Sequence, residues 1–443
     1  MIDVRDPLLE ELLDPAGELE VLASGLDFTE GPVWREPDGY LLFSDVPMDA
    51  IYRWDATSGV TEHRRPSRKS NGLAYDGAGR LLACEHVSSS VSRTDQDGRV
   101  SPLASHWEGR ALNSPNDVAV ARSGAVYFTD PPDGRVSERW GLLRPREIDF
   151  QGVYVTPPGS SETVLLARDF TFPNGVCLSA DERTLYVNDT ARMQLRAFDV
   201  RADGTTENER PFLEQPGTGD VWDGAPDGMA CDEHGNLWAT GPHGIWVISP
   251  QARVLGIVHT PKFASNLCFG GPCWNDVYIT MSDSICRLAT RTRGARDAHV
   301  VQGDLQRIAN ALLAVLSSGR VTIRVDDVAG DETFAVKAES CAPGVAAIAA
   351  HRTEGVRESE TFRWIARERR VLVQEDIALS PITPAPALLE RYGARAQLLS
   401  PVVVGGEVAA IVSVHETRAV RSWSEEEVSA AARAAVDVAA ALR

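Results

Sequence analysis

The chain has 443 residues, 43% of them hydrophobic and 24% charged. That length exceeds most single cores, so two domains or one large repeat assembly is expected. A formal net charge of −19 argues against nucleic acid or an anionic membrane as partner, because phosphate binding needs clustered Lys and Arg. No run of 18 or more apolar residues predicts a membrane span.

The opening "MIDVRDPLLEELLDP" is acidic and has no long apolar stretch, so it does not read as a secretory signal. A cytoplasmic protein is expected. The seven cysteines contain no CxxC pair and mostly sit in apolar strand-like runs such as "LLACEH" and "VCLSA". They read as reduced, partly buried thiols rather than a zinc or redox site.

From residue 16 onward one layout recurs six times. A motif strand opens each unit: "TEGPVW" (Glu30), "SNGLAY" (Asn71), "PNDVAV" (Asn116), "PNGVCL" (Asn174), "PDGMAC" (Asp227) and "SNLCFG" (Asn266). A turn and a second strand follow each time: "YLLFSD", "RLLACEH", "AVYFTD", "TLYVND", "NLWATG" and "DVYITM". Third runs are "AIYRWD", "SVSRTD", "GVYVTP", "LRAFDV", "GIWVIS" and "SICRLA", and before each motif lies a further run that fits an outer strand. Four strands per unit, repeated every forty to fifty residues or so, is the arithmetic of a β-propeller. Six units predict an all-β six-bladed propeller over residues 1–292. The sixth unit lacks an outer strand and "EVLASG" lacks a unit, so pairing the two would close the ring.

That order places the six motif residues around one mouth of the central channel, with Asp45, Glu85, His86, Asp130, Asn188 and Asp189 at the same level. One Asn-Gly or Asp-Gly is an ordinary turn former. Six copies at one slot, with Glu at position 30, are not explained by turn chemistry. The slot holds two carboxylates and four amides, all oxygen donors, which suits a hard divalent cation such as Ca²⁺, Mg²⁺ or Mn²⁺.

The stretches "EGPVW", "LNSPNDVAV", "YFTDPP", "FPNGVCLSADERTLYVNDT", "PDGMACDEHGNLW" and "NLCFGG" together resemble the regucalcin (senescence marker protein)/gluconolactonase/luciferin-regenerating-enzyme-like family over about residues 18–290. The resemblance implies one divalent metal in the channel, Ca²⁺ first and Mg²⁺, Mn²⁺ or Zn²⁺ as alternatives. Its ligand triad maps onto Glu30, Asn174 and Asp227. Its substrate-contacting residue maps onto Asn116, which with the metal would stabilise an oxyanion. The implied reaction is hydrolysis of a lactone, a small-molecule cyclic ester, with Asp227 as general base. His86 is a candidate for proton transfer or substrate binding. Where animal members carry an Arg that grips sugar hydroxyls, this chain has Ser114, and Asn113 is the alternative polar contact. A binding protein without turnover and a recruited non-hydrolytic metal enzyme of a biosynthetic pathway are the competing functions.

The Arg-rich stretch from Arg287 reads as a linker, set at 293–300. Beyond it the pattern is mixed. "QGDLQRIANALLAVL" is a helix, "RVTIRVDD" and "TFAVKAES" are strands, "ESETFRWIARERR" is a helix and "VLVQEDI" a strand. "APALLERYG" is a short helix, "AQLLSPVVVGGEVAAIVSVHE" a hairpin turning at Gly405-Gly406, and the last helix opens with a Ser424/Glu427 capping box. "LLSPVVVGGEVAAIVSVHE" with "RSWSEEEV" resembles a GAF domain, an α/β sensor or dimerisation module, over 301–443. A homodimer through the Leu and Ala faces of its first and last helices is expected. Cys341 alone is a weak signal for a cofactor.

Overall fold

The structure is a computed structural model and describes all residues except 37, 96, 216, 218–222, 297, 327–333, 350–354, 385–391 and 443. It divides into two compact units, Met1–His299 and Val300–Arg443.

The first unit contains six antiparallel sheets of four or five strands among the described residues, plus a two-stranded ribbon of His106–Trp107 with Arg110–Ala111. In each sheet the motif strand lies at one edge, and in all but the five-stranded sheet the run preceding the next motif lies at the other. Thr29–Arg35, for example, starts a sheet that ends with Gly59–Arg64. The sheet of Ala264–Gly270 is completed by the N-terminal strand Glu20–Ser24, which pairs with Ser284–Ala289. The predicted closure pairing is therefore present. Neighbouring motif strands pack on one another in sequence, and Ala264–Gly270 packs on Thr29–Arg35. All six line one central cavity of about 150 Å³. The architecture is propeller-like.

Two N-terminal elements lie outside the expected pattern. Ile2–Val4 adds a fifth strand beside Val254–His259, and Leu8–Leu12 is a short helix that buries Leu9 and Leu12. The Arg-rich stretch does not hang free. Arg291 N donates to Leu12 O, Gly294 N to Trp274 O and Ala295 N to Cys231 O, at 2.7 to 2.8 Å.

The motif is a strand feature rather than a turn. Register shifts mark a bulge at Glu30/Val33, Ser70/Leu73, Pro173/Val176 and Ala264/Asn266. The glycine after the motif residue has a packing cause. A Cβ on Gly175 would sit 1.9 Å from Asp227 O, and one on Gly31 would sit 2.1 Å from Asn71 O. Backbone meets backbone at these points. Gly72 N donates to Asn116 O, and Gly228 N to Ser265 O, both at 2.7 Å.

In the second unit the sheet order is Ala335–Cys341, Arg320–Val325, Glu407–Glu416, Ala396–Val404, Leu372–Gln374, with every pairing antiparallel. The helix Ala298–Leu316 and the helix Glu425–Ala441 form one core with Val321, Ile323, Leu398, Val412 and Val414. Leu305, Leu312, Ala431 and Ala435 belong to that core. These Leu and Ala residues of the two helices pack against the unit's own sheet. Helix Glu360–Glu368, strand Leu372–Gln374, the 405–406 turn and the Ser424/Glu427 capping box match the sequence reading. Most of the helix expected at "APALLERYG" lies outside the described residues.

Because Gly175 abuts a backbone carbonyl, Gly175→Ala is expected to destabilise the first unit by about 1–3 kcal/mol or more. Gly77→Ala, where a Cβ meets nothing within 4 Å, serves as control. Urea unfolding of both variants checks this, and equal midpoints would contradict the packing account.

Candidate active site

Side chains of several second strands anchor a motif strand beside them. Ser44 Oγ donates to Asn71 O (2.8 Å), Thr129 Oγ1 to Asn174 O (2.6 Å), and Asn188 Nδ2 to Asp227 O. Asp227 N donates to Thr240 Oγ1 (2.7 Å). The acidic residues that follow cap loops instead of facing the channel. Asp45 accepts from Asp27 N and Phe28 N, Asp189 from Thr171 N and Phe172 N, and Asp130 from Asn113 N. Glu85 takes Arg64, Arg68, Ser88 and Ser92.

The motif slot lies just beyond one end of the central cavity, whose lining begins one or two residues after the slot. Glu30 is buried, and its Oε2 accepts from Gly31 N (2.9 Å) and Asn266 Nδ2 (3.2 Å). Burial, aided by Asp117, pushes its carboxyl up to about 8. Asp227 is pushed well above the carboxylate range by burial, then by Glu30, Asp117 and Asp133. These carboxylates therefore sense one another inside a buried site. Asn174 donates through Nδ2 to Thr190 Oγ1 (3.1 Å), whose hydroxyl donates to Pro226 O (2.6 Å). That relay fixes the amide and leaves Asn174 Oδ1 buried with no hydrogen-bond partner. Asn71 Oδ1 is left in the same condition.

An orphaned amide oxygen beside two mutually repelling carboxylates is a donor set that fits a hard divalent cation. Among the described residues no group of three or more His, Cys, Asp or Glu forms a metal cluster. The expected set is mixed, with two carboxylates and an amide.

Three positions differ from the sequence reading. Asn266 is not the sixth member of the slot. It pairs with Thr280, and the carbonyl that receives Gly228 N belongs to Ser265, so Asn266 stands where four other units have glycine. From there it bridges Glu30 and Asp117. Asp117, which the sequence reading passed over, occupies the same glycine position in its own unit. It accepts from Val118 N and Val176 N and is pushed up to about 6 by burial. The missing glycine in "PNDV" and "SNLC" was the available signal for both. Asn113 is not presented to the site. Its Nδ2 donates to Asp130 O and Phe150 O, and its Oδ1 accepts from Arg146 Nε.

Asn116 is buried, and its side chain makes no hydrogen bond among the described residues. His86 lies under the loop after Asp130. Its Nδ1 is 2.8 Å from Trp140 O, a pure acceptor, so Nδ1 carries the proton and Nε2 is left unprotonated, buried and without a partner. Burial, with Arg144 and Lys69, lowers its pKa to about 4. The same loop is pinned by Ser114, which donates to Pro131 O (2.6 Å) and accepts from Gly134 N (3.0 Å). Arg139 reaches Asp27 (2.6 Å), and Trp140 meets Phe28 edge-on at 4.9 Å. The loop also carries Asp133, close enough to raise Asp227. Sequence reasoning did not foresee this cover, because it rests on long-range contacts.

The family model described as SMP-30/gluconolactonase/LRE-like region matches residues 28–283. The chain belongs to that family. A GAF domain model matches residues 302–442 of this SMP-30/gluconolactonase-like protein. A gluconolactonase of Zymomonas mobilis is 31% identical over 309 residues, covering 65% of this chain and 85% of that protein. The pentonolactonase XacC of Haloferax volcanii is 27% identical, covering 57% and 80%. Among solved structures, a gluconolactonase from Xanthomonas campestris superposes with a TM-score of 0.61 at 33% identity, covering 65% of this chain and 94% of that one. No helix among the described residues is long and apolar enough to cross a membrane.

His86 has a pKa of 6.5 unfolded and about 4 folded, so the unfolded state binds the extra proton. The stability it contributes is present above pH 6.5 and lost as pH falls through about 4. The stability difference between wild type and His86→Gln should therefore shrink from pH 6.5 to 4. A pH-independent difference in denaturation midpoints would count against a buried neutral imidazole.

Proposed function

We propose that the first unit is a closed six-bladed propeller that hydrolyses a lactone at a single divalent-metal site held by Glu30, Asn174 and Asp227, with Ca²⁺ the first choice. The observation that carries the reading is Asn174 Oδ1, buried without a partner beside two carboxylates that repel one another. Gluconolactonase and pentonolactonase relatives support the substrate class.

A divalent ion bound there supplies the positive charge the two carboxylates lack, and Lewis acidity toward a carbonyl oxygen. Asp227 takes the proton of the attacking water. Its strand is fixed by Thr240 and Asn188, so the carboxylate is held in place before substrate arrives. The Asn116 amide donates to the carbonyl oxygen as it gains negative charge. His86 Nε2, an acceptor by its tautomer, takes a hydrogen bond from a substrate hydroxyl. The loop pinned by Ser114 and Arg139 covers the mouth and limits water to the site. The C-terminal unit serves regulation or association with a second copy.

Turnover of a panel of sugar lactones by the purified protein should be abolished by EDTA and restored by added metal. Asp227→Ala should lower kcat by about 100-fold or more, and Asn116→Ala by about 10-fold or more. Turnover that survives both chelation and Asp227→Ala would refute the assignment.

A further inference from the structure

Four of the six motif strands carry glycine directly after the slot: Gly31, Gly72, Gly175 and Gly228. The architecture therefore needs no side chain at this place. Two strands nonetheless have one, Asp117 and Asn266, and both are buried. Glycines of neighbouring strands make room for them. A Cβ on Gly228 would sit 1.9 Å from Asn266 Oδ1, and one on Gly72 would sit 2.5 Å from Asp117 Oδ1. Polar side chains admitted where four strands do without them point to a role in the site beyond packing.

The amide of Asn266 is held one way round. Its Oδ1 accepts from Leu267 N (2.8 Å), so its nitrogen is turned to Glu30, where Nδ2 donates to Oε2 (3.2 Å). The same nitrogen supports the carboxylate of Asp117. Asp117 is itself fixed, accepting from Val118 N (3.0 Å) and Val176 N (3.1 Å). Glu30 Oε2 also accepts from Gly31 N (2.9 Å). A carboxylate oxygen has two lone pairs, and both of those on Oε2 are taken. Oε1 takes no hydrogen bond among the described residues. Glu30 thus has one oxygen to offer, not two. That number matters to a cation. Ca²⁺ accepts about six to eight oxygens and readily takes both from one carboxylate, whereas Mg²⁺ demands octahedral geometry and is served by single oxygens.

We propose that Asn266 is a specificity-determining residue of the metal site, held in place by Asp117. It keeps Glu30 to a single coordinating oxygen and so narrows the preference for Ca²⁺ over smaller divalent ions. The inference rests on the metal-site reading above. Asn266 does not touch the ion in this account; it is a positioning residue that acts through Glu30, and Asp117 acts through Asn266.

The test is calorimetric titration of the metal-stripped full chain with Ca²⁺ and with Mg²⁺, in wild type and in Asn266→Gly. Glycine is what four strands already carry at this place, so the variant brings in no foreign packing. With one lone pair of Oε2 freed, Glu30 can use both oxygens, and the ratio of Ca²⁺ to Mg²⁺ affinity should rise by about tenfold. Asp117→Asn should shift the ratio the same way but less. The double variant should match Asn266→Gly alone, because the two side chains act in series. Crystals grown with Ca²⁺ give a second readout: one Glu30 oxygen at bonding distance in wild type, and two in Asn266→Gly. An unchanged ratio in Asn266→Gly, or Ca²⁺ held by both Glu30 oxygens in wild type, would overturn the proposal and leave the metal site standing. Wild type that binds neither ion at Glu30 would overturn both.

Discussion

The closest constraint in the first unit is the contact of one motif strand with the next. Gly175 meets the carbonyl of Asp227, and Gly31 meets that of Asn71, at distances no side chain tolerates. Because the strands approach this closely, the residues just before those glycines converge on one end of a narrow cavity. Convergence puts Glu30 and Asp227 in a buried site with Asp117 nearby, where burial and mutual repulsion both disfavour their charged forms. The packing that brings the motif strands together is the same packing that creates a demand for positive charge. Fold and chemistry are linked through one glycine position.

The two exceptions to that glycine position extend the argument. Asp117 and Asn266 carry side chains where four units have none, and they meet at the end of the cavity. Asn266 ties Glu30 to Asp117, fixing one oxygen of Glu30. The second strands act as a supporting layer, with Ser44, Thr129, Asn188 and Thr240 holding the motif backbone. The acids at their ends stabilise loops by accepting backbone N–H groups. Residues that look equivalent in the sequence thus divide into a lining set and a scaffolding set.

Much of the fold was legible in the sequence. Alternating strands, regular turns and the unpaired "EVLASG" strand announce the sheets and the closure pairing, because strand period and edge satisfaction are local or counting arguments. Recurrence at one slot marked six residues alike, and only the family resemblance set Glu30, Asn174 and Asp227 apart as expected metal ligands. The slot of the last unit was misread by one residue, since Ser265 bulges and Asn266 takes the glycine place. Asn113 looked available, but its amide is consumed by Asp130, Phe150 and Arg146. The loop over His86 has no periodic pattern, and its position depends on Phe28, Asp27 and Lys69 in distant units. In the second unit, alternation along "RVTIRV" marked a strand but not that its polar face is buried.

The proposed site places a divalent cation between Glu30, Asn174 and Asp227. Crystals grown with Mn²⁺ and measured at an energy where manganese scatters anomalously test this directly. One strong anomalous peak is predicted at the motif end of the central cavity, within bonding distance of a Glu30 oxygen, Asn174 Oδ1 and an Asp227 oxygen. An empty site at saturating Mn²⁺, or a peak coordinated by other residues, would contradict it.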